Sequence, residues 1–382
     1  MYQDRGATLI QQLSSLEAIN AFEGPQLPDR KGFDPLQIDE LMHKCRVPGL
    51  QIAVIKSFSI HWEKGYGFAD IEEHKRVTGE TRFQAGSLSK PVACMALLKA
   101  VQDGRLSLDD DINTILHSWR LAYEPSIAGG LVTPRLLASH TSGLGDGFGF
   151  PGYLPGQELP TTVQILNGQR PSNTGAVSLE RAPMSAMKYS GGGSTILELA
   201  LRDAIGQPFA QLMHEMVLEP IGMANSAYEQ PPSPMHQQHA AYGHSGDGKR
   251  LPEKWHLFPE LYAAGLWTTA TDLAKFAIEV QTSIHGRSNR ILSRLIVQEM
   301  VNPVGVGDFA VGFQVERRGQ GWYIRHSGSN WGYGSLLVAH KTKGYGMVAM
   351  TNRDYDQEFL NEILERVERV YGWDSLDKPV HR

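Results

Sequence analysis

The sequence has few cysteines, no long run of like charges and no long apolar stretch. Only 2 of its 382 residues are Cys, so at most one disulfide can form and a disulfide-dependent secreted scaffold is excluded. Lys and Arg number 36 against 41 Asp and Glu, a formal net charge of −5, and we expect no nucleic-acid partner. No apolar run approaches the roughly 18–20 residues that cross a bilayer, which predicts no membrane span.

The N-terminus also has no basic segment followed by an apolar core, the pattern of an export signal. We therefore expect a cytoplasmic protein, or a periplasmic or secreted one if a leader has been removed. Hydrophobic residues make up 41% and charged residues 20% of the chain, which is typical of a globular protein. A length of 382 residues predicts one large domain with an insertion, or two domains.

Hydrophobic periodicity divides the chain into regions of different character. Residues 1–30 are polar and end in Gly and Pro, which predicts an N-terminal leader. Two runs rich in β-branched residues, 50–57 and 60–68, predict an antiparallel hairpin. Helical periodicity then dominates, and a long loop spans roughly 143–185.

The C-terminal part returns to short strand-like runs. An amphipathic helix is predicted over 356–371, because Phe359, Ile363, Val367 and Val370 share one face. Four preceding runs, separated by turn residues, predict a β-meander: 309–316, 322–326, 334–340 and 345–351.

These regions predict an α+β fold in which strands from both chain ends share one antiparallel sheet flanked by helices. An all-α region is inserted between the two ends. The predicted domain covers 31–372, and a tail covers 373–382. Within the domain, the α/β part takes about 31–86 and 300–372, and the mainly helical part takes about 87–299.

Most familiar catalytic motifs are absent. The chain has no Gly-x-Ser-x-Gly, no phosphate-binding P-loop and no His-Glu-x-x-His. A Gly-x-Gly-x-x-Gly match at Gly147, Gly149 and Gly152 contains Pro151 and follows a loop rather than a strand. Dinucleotide binding is therefore not expected.

Two clusters of polar residues have a simpler explanation than chemistry. His236, His239 and His244 lie in a Pro- and Gln-rich stretch without Cys or carboxylate at ligand spacing, which favours a solvated loop over a metal site. The acidic run 109–111 favours a helix cap or a solvated turn over a catalytic carboxylate pair. We expect neither a metal nor a cofactor.

A Ser-x-x-Lys tetrad, Ser87 to Lys90, precedes an apolar helix that we expect to run to about Asp103. Residues i and i+3 of a helix share one face, about 5–6 Å apart at Cβ, so the hydroxyl and the ammonium can meet. Free N–H groups at a helix start favour negative charge, and a serine hydroxyl becomes nucleophilic when a base removes its proton. The tetrad alone also matches a capping serine followed by a surface lysine.

The segments around the tetrad give it a context. Together with it they resemble the serine β-lactamase and penicillin-binding-protein superfamily, in the class C β-lactamase-like branch that includes family VIII carboxylesterases, DD-peptidases and D-aminopeptidases. The resemblance covers roughly 32–372 and implies a β-lactamase/transpeptidase-like fold, an acyl-enzyme on Ser87 and no cofactor. The segments that carry it are 47–54, 65–70, 81–83, 104–110, 136–144, 218–223 and 264–273.

A second motif follows from the resemblance, because Tyr189-Ser190-Gly191 stands where the branch has Tyr-x-Asn. The implied role of Tyr189 is to hydrogen-bond Ser87 and Lys90 and relay the proton. Gly191 lacks the amide with which relatives hold the acyl-amide group of a substrate, and this weakens the expectation of β-lactam or peptidoglycan substrates.

A third motif, His326-Ser327-Gly328, stands where many relatives have Lys-Thr-Gly. The resemblance implies that these residues form a strand edge lining the substrate cleft, with Trp331 close by as a further substrate contact. It also implies that the backbone N–H of Ser329 joins that of Ser87 in an oxyanion hole, a device that supplies several kcal/mol.

We therefore expect a serine hydrolase acting on a small ester or amide, and first a carboxylesterase for short acyl chains, because the second and third motifs depart from the amide and carboxylate anchors of relatives. The alternatives are a D-aminopeptidase/DD-peptidase or β-lactamase, an acyltransferase, and a non-catalytic binding module. Homo-oligomerisation stays open. One wall of an apolar substrate pocket is predicted from Phe148, Phe150, Tyr153, Leu154 and Leu166.

Overall fold

The computed structural model describes residues 13–26, 32–123, 127, 130–145 and 149–378. Its strands are β1 (Gly49–Lys56), β2 (Ser59–Asp70), β3 (Lys75–Arg76), β4 (Phe83–Gln84), β5 (Trp267–Thr268), β6 (Gln314–Arg318), β7 (Gly321–Asn330), β8 (Tyr333–His340) and β9 (Gly346–Thr351).

Most of the helices lie in the middle of the chain, between β4 and β6. The helices are α1 (Ser15–Glu23), α2 (Ile38–Lys44), α3 (Ser89–Gln102), α4 (Ile112–Ile115), α5 (Pro134–Ala138), α6 (Thr162–Asn167), α7 (Gly191–Ile205), α8 (Phe209–Met213), α9 (Glu219–Ile221), α10 (Pro234–Gln237), α11 (Leu261–Ala264), α12 (Ala270–Ile284) and α13 (Gln357–Tyr371). Short 3-10 helices cover Gly86–Leu88, Ile296–Met300 and Asp374–Leu376, and a π-helical turn covers His214–Leu218.

Strands from both chain ends form one antiparallel sheet in the order β3-β2-β1-β9-β8-β7-β6. The predicted N-terminal hairpin is confirmed as β1 and β2. Strand β1 joins the two chain ends, because its other edge pairs with β9 from Leu50–Thr351 to Ile55–Gly346. The predicted α+β sheet with a helical insertion is therefore confirmed.

The sheet lies between two hydrophobic cores, and the alternation of β1 explains why. Ile52 and Val54 face a core shared with α1, α2 and α13, whereas Ala53 and Ile55 face the larger core shared with α3, α7 and α12. Successive strand residues point to opposite faces, so a strand covered on both sides must be apolar throughout. β1 is buried from Gly49 to Ile55 and has no polar side chain there except Gln51, which is hydrogen-bonded to Thr78 and Ala270.

The first strand of the predicted meander begins later than expected. Residues 309–313 do not belong to it, and β6 starts at Gln314. The reason is a turn: the Ala310 N–H donates to the Phe313 carbonyl, and Gly312 has a φ of +100° where the chain lies against Cys94 of α3. The other three strands and the C-terminal helix α13, capped by Asp356, confirm the prediction.

Two predicted irregular segments contain helices. The loop predicted over 143–185 includes α6, which begins with a capping box at Thr161 and ends at Gly168. Within the predicted leader, α1 packs against α13, while 1–12 and 27–31 lie outside the described residues. The proposed domain boundaries stay predictions. None of the described helices is both long enough and apolar enough to span a membrane.

Candidate active site

Ser87 and Lys90 lie at the start of α3, as the tetrad predicts, with Ser87 in the 3-10 turn that leads into the helix. The Lys90 Nζ lies 3.1 Å from the Ser87 Oγ and donates a second hydrogen bond to the Ala263 carbonyl at 2.9 Å. Lys90 is buried, whereas Ser87 is partly exposed. The pair therefore has the geometry of a nucleophile with an adjacent base.

Gly86 allows the third motif to pack against the 3-10 turn that contains Ser87. Gly86 has a φ of +53°, and a Cβ at this position would lie 2.6 Å from the Ser329 backbone nitrogen. A Cβ on Gly328 would lie 1.9 Å from the Ala85 carbonyl oxygen. Because both residues lack side chains, the peptide units around Ser87 and Ser329 meet, which is the arrangement that a two-donor oxyanion hole requires.

The third motif occupies the unpaired half of a strand. β6 covers β7 only from Gly321 to Arg325, where Arg325 pairs with Gln314. Over His326–Asn330, β7 pairs with β8 on one side, and its other side carries no strand among the described residues. The strand edge predicted to line the cleft is therefore present.

Tyr189 lies in the same cavity but does not make the predicted hydrogen bonds. Its hydroxyl is buried and has no hydrogen-bond partner among the residues that the structure describes. The Lys90 Nζ instead lies 5.0 Å from the centre of the Tyr189 ring, because Ser87 and Ala263 take its hydrogen bonds. The proton-relay role of Tyr189 consequently stays a prediction.

His326 is neutral in this site. Burial, reinforced by the positive charge of Lys90, lowers its pKa to about 3. The Nδ1–H donates to the Ser327 carbonyl at 2.7 Å, and the buried Nε2 has no partner within the described part of the chain. His326 thus offers an uncharged acceptor and not the cation that Lys supplies in Lys-Thr-Gly.

A second buried histidine supports Tyr189. His140 packs on the Tyr189 ring with centroids 4.2 Å apart, and its Nδ1 accepts the Ser190 N–H at 3.2 Å. Burial and the nearby Lys90 charge hold the pKa of His140 well below its usual value, so the ring is a neutral packing element. In the sequence, His140 is indicated only as part of 136–144, one of the segments that carry the family resemblance.

One short segment connects the motifs. The Ala263 carbonyl accepts from Lys90, and the Ala264 carbonyl accepts from the Asn330 side chain at 3.0 Å. The Leu266 N–H donates to the Ser89 Oγ at 3.1 Å. Residues 263–266 therefore link α3 to β7. The segment 264–273 carries part of the family resemblance, but the sequence did not indicate this linking role.

The predicted residues that line the nucleophile's cavity are Ser87, Tyr189, His326, Ser327 and Ser329. The cavity has a volume of about 290 Å³. Three further lining residues were missed by sequence analysis: Phe309, Gln314 and Tyr355. They come from turns and a strand end far apart in the chain, so no local pattern identifies them.

Three predicted substrate contacts do not line this cavity. Gly328 packs on Ala85, and Gly191 is buried in the first turn of α7. Trp331 is half exposed and stacks on His256, with ring centroids 5.5 Å apart. This geometry does not support their predicted roles as substrate contacts.

The apolar wall predicted from the 143–185 loop is also displaced. Tyr153 and Leu166 belong to the main core, Leu154 lies at the surface and Phe150 packs on a small cluster around Phe258. Phe148 lies outside the described residues. These aromatic and aliphatic groups contribute to folding, and Phe309 and Tyr355 supply the apolar surface beside Ser87.

The other polar clusters have ordinary partners. His236 pairs with Glu229 at 2.8 Å, and His244 bonds the Asn352 carbonyl. Asp111 caps α4, which confirms the capping interpretation of that acidic run. Among the described residues, no three potential metal ligands come together. Gly147, in the glycine-rich match, lies outside the described residues.

Comparison with known proteins places this geometry in a family. Residues 37–370 match the protein family described as Beta-lactamase. Protein flp of Staphylococcus aureus is 23% identical over 343 residues, covering 86% of this chain and 64% of that protein. The chain thus spans less than two thirds of that relative's length. Esterase EstB of Burkholderia gladioli is 26% identical over 370 residues, covering 83% of this chain and 89% of the esterase.

Among solved structures, a D-amino acid amidase from Ochrobactrum anthropi SV3 has the same fold. It superimposes with a TM-score of 0.70 at 20% identity, covering 92% of this chain and 98% of the amidase. The β-lactamase-like fold expected from the sequence is therefore confirmed. Since the family match extends over most of the chain, this protein is a member of the Beta-lactamase family.

Proposed function

We propose that this protein is a serine hydrolase that forms an acyl-enzyme on Ser87. Lys90, acting as the neutral amine, takes the Oγ proton while the oxygen attacks the substrate carbonyl carbon, and the backbone N–H groups of Ser87 and Ser329 stabilise the oxyanion. The bond to the leaving group breaks as that group takes up the proton. Water then attacks the acyl-enzyme, releasing the acid and restoring the hydroxyl. The 3.1 Å contact between Lys90 and Ser87 supports this sequence.

We propose further that the substrate is an ester with a short, uncharged acyl group. The observation that carries this proposal is the lining of the cavity: aromatic rings, hydroxyls, the amide of Gln314 and a neutral His326. Among the described residues, none of those that line the cavity is a Lys or Arg that would bind an anionic substrate group. A volume of about 290 Å³ is at the low end for ligand pockets, in keeping with a short acyl chain.

The relatives support both this proposal and its main alternative. Esterase EstB is a curated relative, which favours ester hydrolysis. The D-amino acid amidase shares the fold, which favours a hydrolase of D-amino-acid amides. In the part of the chain that the structure describes, the residues lining the cavity include no Asp or Glu that would pair with the α-ammonium of an amino-acid amide. We therefore place the ester first.

The test compares three chromogenic substrates: p-nitrophenyl butyrate, D-alanyl p-nitroanilide and nitrocefin. Each is assayed with the wild type and with Ser87→Ala. An alkyl fluorophosphonate, which phosphonylates an activated serine with loss of fluoride and stands in for acylation, reports by intact mass whether Ser87 is reactive. Ester turnover that exceeds the other two and disappears in Ser87→Ala supports the esterase. Faster anilide or nitrocefin turnover replaces it by D-peptidase or β-lactamase activity.

Two further outcomes separate the remaining classes. Addition of a short alcohol that converts the acyl product into a new ester identifies an acyltransferase, because the first half-reaction is the same. Absence of any mass increase with the fluorophosphonate contradicts an acyl-enzyme and favours a binding module.

A further inference from the structure

Two carboxyl groups are buried behind the nucleophile, where the proposed mechanism does not use them. Glu198 lies on α7 and is 2% exposed, and Glu260 immediately precedes α11 and is fully buried. Neither carboxyl oxygen of Glu260 has a hydrogen-bond partner among the described residues. A buried carboxylate without a partner is strongly destabilising, so such a group in a native fold requires an explanation.

Glu198 fastens α7 to the start of α11. Its Oε2 accepts the Tyr262 N–H at 3.1 Å, and its Oε1 accepts the Thr162 hydroxyl at 3.2 Å. The Leu261 N–H is a further donor to this carboxyl. One side chain thus holds the first two peptide N–H groups of α11, next to Glu260.

The position of α11 determines the position of the base. Ala263 lies one residue after Tyr262, and its carbonyl holds the Lys90 Nζ at 2.9 Å. The next carbonyl, that of Ala264, holds Asn330 on β7. A small displacement of α11 therefore moves Lys90 relative to Ser87, and catalytic geometry is sensitive to shifts of about 1 Å.

The two carboxyls influence each other's ionisation. Burial raises the pKa of Glu198 to about 7 and that of Glu260 to about 8, and the charge of Glu198 adds to the effect on Glu260. At neutral pH the pair therefore retains at least one proton, which removes the repulsion between two buried anions. The other titratable or charged groups facing the pair are Arg202 on α7, Lys90 and Cys94 on α3, and Tyr153, Tyr228 and Tyr262.

We infer that Glu198 and Glu260 form a proton-holding pair that positions α11 and, through the Ala263 carbonyl, sets Lys90 against Ser87. Both are positioning residues, since neither lines the cavity. The inference rests on the proposed acyl-enzyme chemistry, but not on the choice of ester. When the pair becomes doubly ionised, repulsion acts on the segment that holds Lys90, and reactivity of Ser87 falls.

The test measures the pH dependence of Ser87 acylation. The rate of mass increase with an alkyl fluorophosphonate is recorded from about pH 6 to about pH 10 for the wild type, Glu198→Gln and Glu260→Gln. Glu279→Gln is the matched control, because Glu279 is a buried carboxyl on α12 whose oxygen accepts from Ser283 and Ser288. Glu260→Met, of similar volume, serves if Glu260→Gln does not fold.

We expect acylation of the wild type and of the control to decline above about pH 8. In Glu260→Gln double ionisation is impossible, so this decline should be absent up to about pH 10. A decline with the same midpoint in Glu260→Gln and Glu279→Gln would overturn the inference. A loss of rate that is the same at every pH would also overturn it, since that is the effect of a merely structural residue.

A second readout separates this inference from the proposed function. Difference infrared spectroscopy detects the carbonyl stretch of a protonated carboxylic acid without turnover. The band should vanish between about pH 6 and about pH 10 in the wild type and should be missing from the double variant Glu198→Gln/Glu260→Gln. If Ser87 is never acylated, the proposed function fails. If the wild type has no such band, the inference fails.

Discussion

Gly86 offers the sharpest test of the oxyanion arrangement, because its missing side chain is what allows the Ser329 backbone to approach Ser87. Its φ is +53°, and a Cβ would lie 2.6 Å from the Ser329 nitrogen and 3.0 Å from the Gly328 carbonyl carbon. Gly104, just after α3, has a similar φ of +68°, and a Cβ there would meet no atom within 4 Å. The two glycines therefore share a left-handed backbone conformation, which would strain an alanine, and differ in the atoms that an added Cβ would meet.

The magnitudes follow from this difference. An alanine in left-handed conformation costs roughly 1–2 kcal/mol, which applies to both Gly86→Ala and Gly104→Ala. Overpacking against backbone atoms adds about 1–3 kcal/mol, and only at residue 86. Moving one oxyanion donor out of place reduces kcat about 10²–10³-fold. Gly86→Ala should therefore lose both stability and activity, and Gly104→Ala should lose stability alone.

The assay combines denaturant unfolding with steady-state ester hydrolysis and with phosphonylation of Ser87 by the fluorophosphonate, the surrogate for acylation. We expect Gly86→Ala to be folded, less stable than Gly104→Ala, and slower in acylation by about two to three orders of magnitude. If Gly86→Ala acylates within about twofold of Gly104→Ala, Ser329 is not an oxyanion donor. That result would refute the assignment while leaving Ser87 as the nucleophile.

Three other changes test the site. Lys90→Met should slow acylation of the nucleophile about 10²–10⁴-fold because the base is lost, whereas Lys99→Met, on the same helix, should have little effect; equal rates would remove Lys90 as the base. Asn330→Ala leaves two buried acceptors unpaired and should lower the free energy of unfolding by about 1–3 kcal/mol for each, against less than about 0.5 kcal/mol for exposed Asn302→Ala. In the folded protein the pKa of His326 is lowered from 6.5 to about 3. Between these two values the unfolded chain binds more protons than the folded one, so the free energy of unfolding decreases as the pH falls from 6.5 to about 3. His326→Gln should unfold at lower pH than the wild type in an acid titration followed by circular dichroism, and an unchanged midpoint would contradict the assigned neutral state.

Sequence patterns predicted those parts of the fold that depend on local periodicity. The β1–β2 hairpin and α13 follow from apolar spacing, and the strand edge at His326 follows from the motif. Contacts that depend on tertiary packing were not predictable. Phe309 and Tyr355 reach the cavity through turns. Within the loop at 143–185, Tyr153 and Leu166 are buried in the main core, whereas Leu154 lies at the surface.

For the catalytic motifs too, contacts that follow from local spacing were predictable and contacts that depend on tertiary packing were not. The spacing of Ser87 and Lys90 requires them to meet on one helical face, and they do. The partner of Lys90 on its other side, the Ala263 carbonyl, comes from a segment more than 170 residues away, and no spacing rule connects the two. Tyr189 lies in the cavity, as the second motif implies. Its hydroxyl has no hydrogen-bond partner among the described residues, because the Lys90 Nζ lies over the ring and not beside the hydroxyl.

The pairing of β1 with β9 also has a consequence for the order in which this chain can fold. Leu50 and Thr351 are partners, so the hairpin made early in synthesis must wait for a strand that leaves the ribosome about 300 residues later. Until then one edge of β1, which is apolar except at Gln51 and Lys56, is uncovered, and such edges invite association with other chains. Closing a loop of this length slows folding, whereas its cost in free energy increases only slowly with loop length. Nascent chains that stop before β9 should therefore be the ones that aggregate or recruit chaperones.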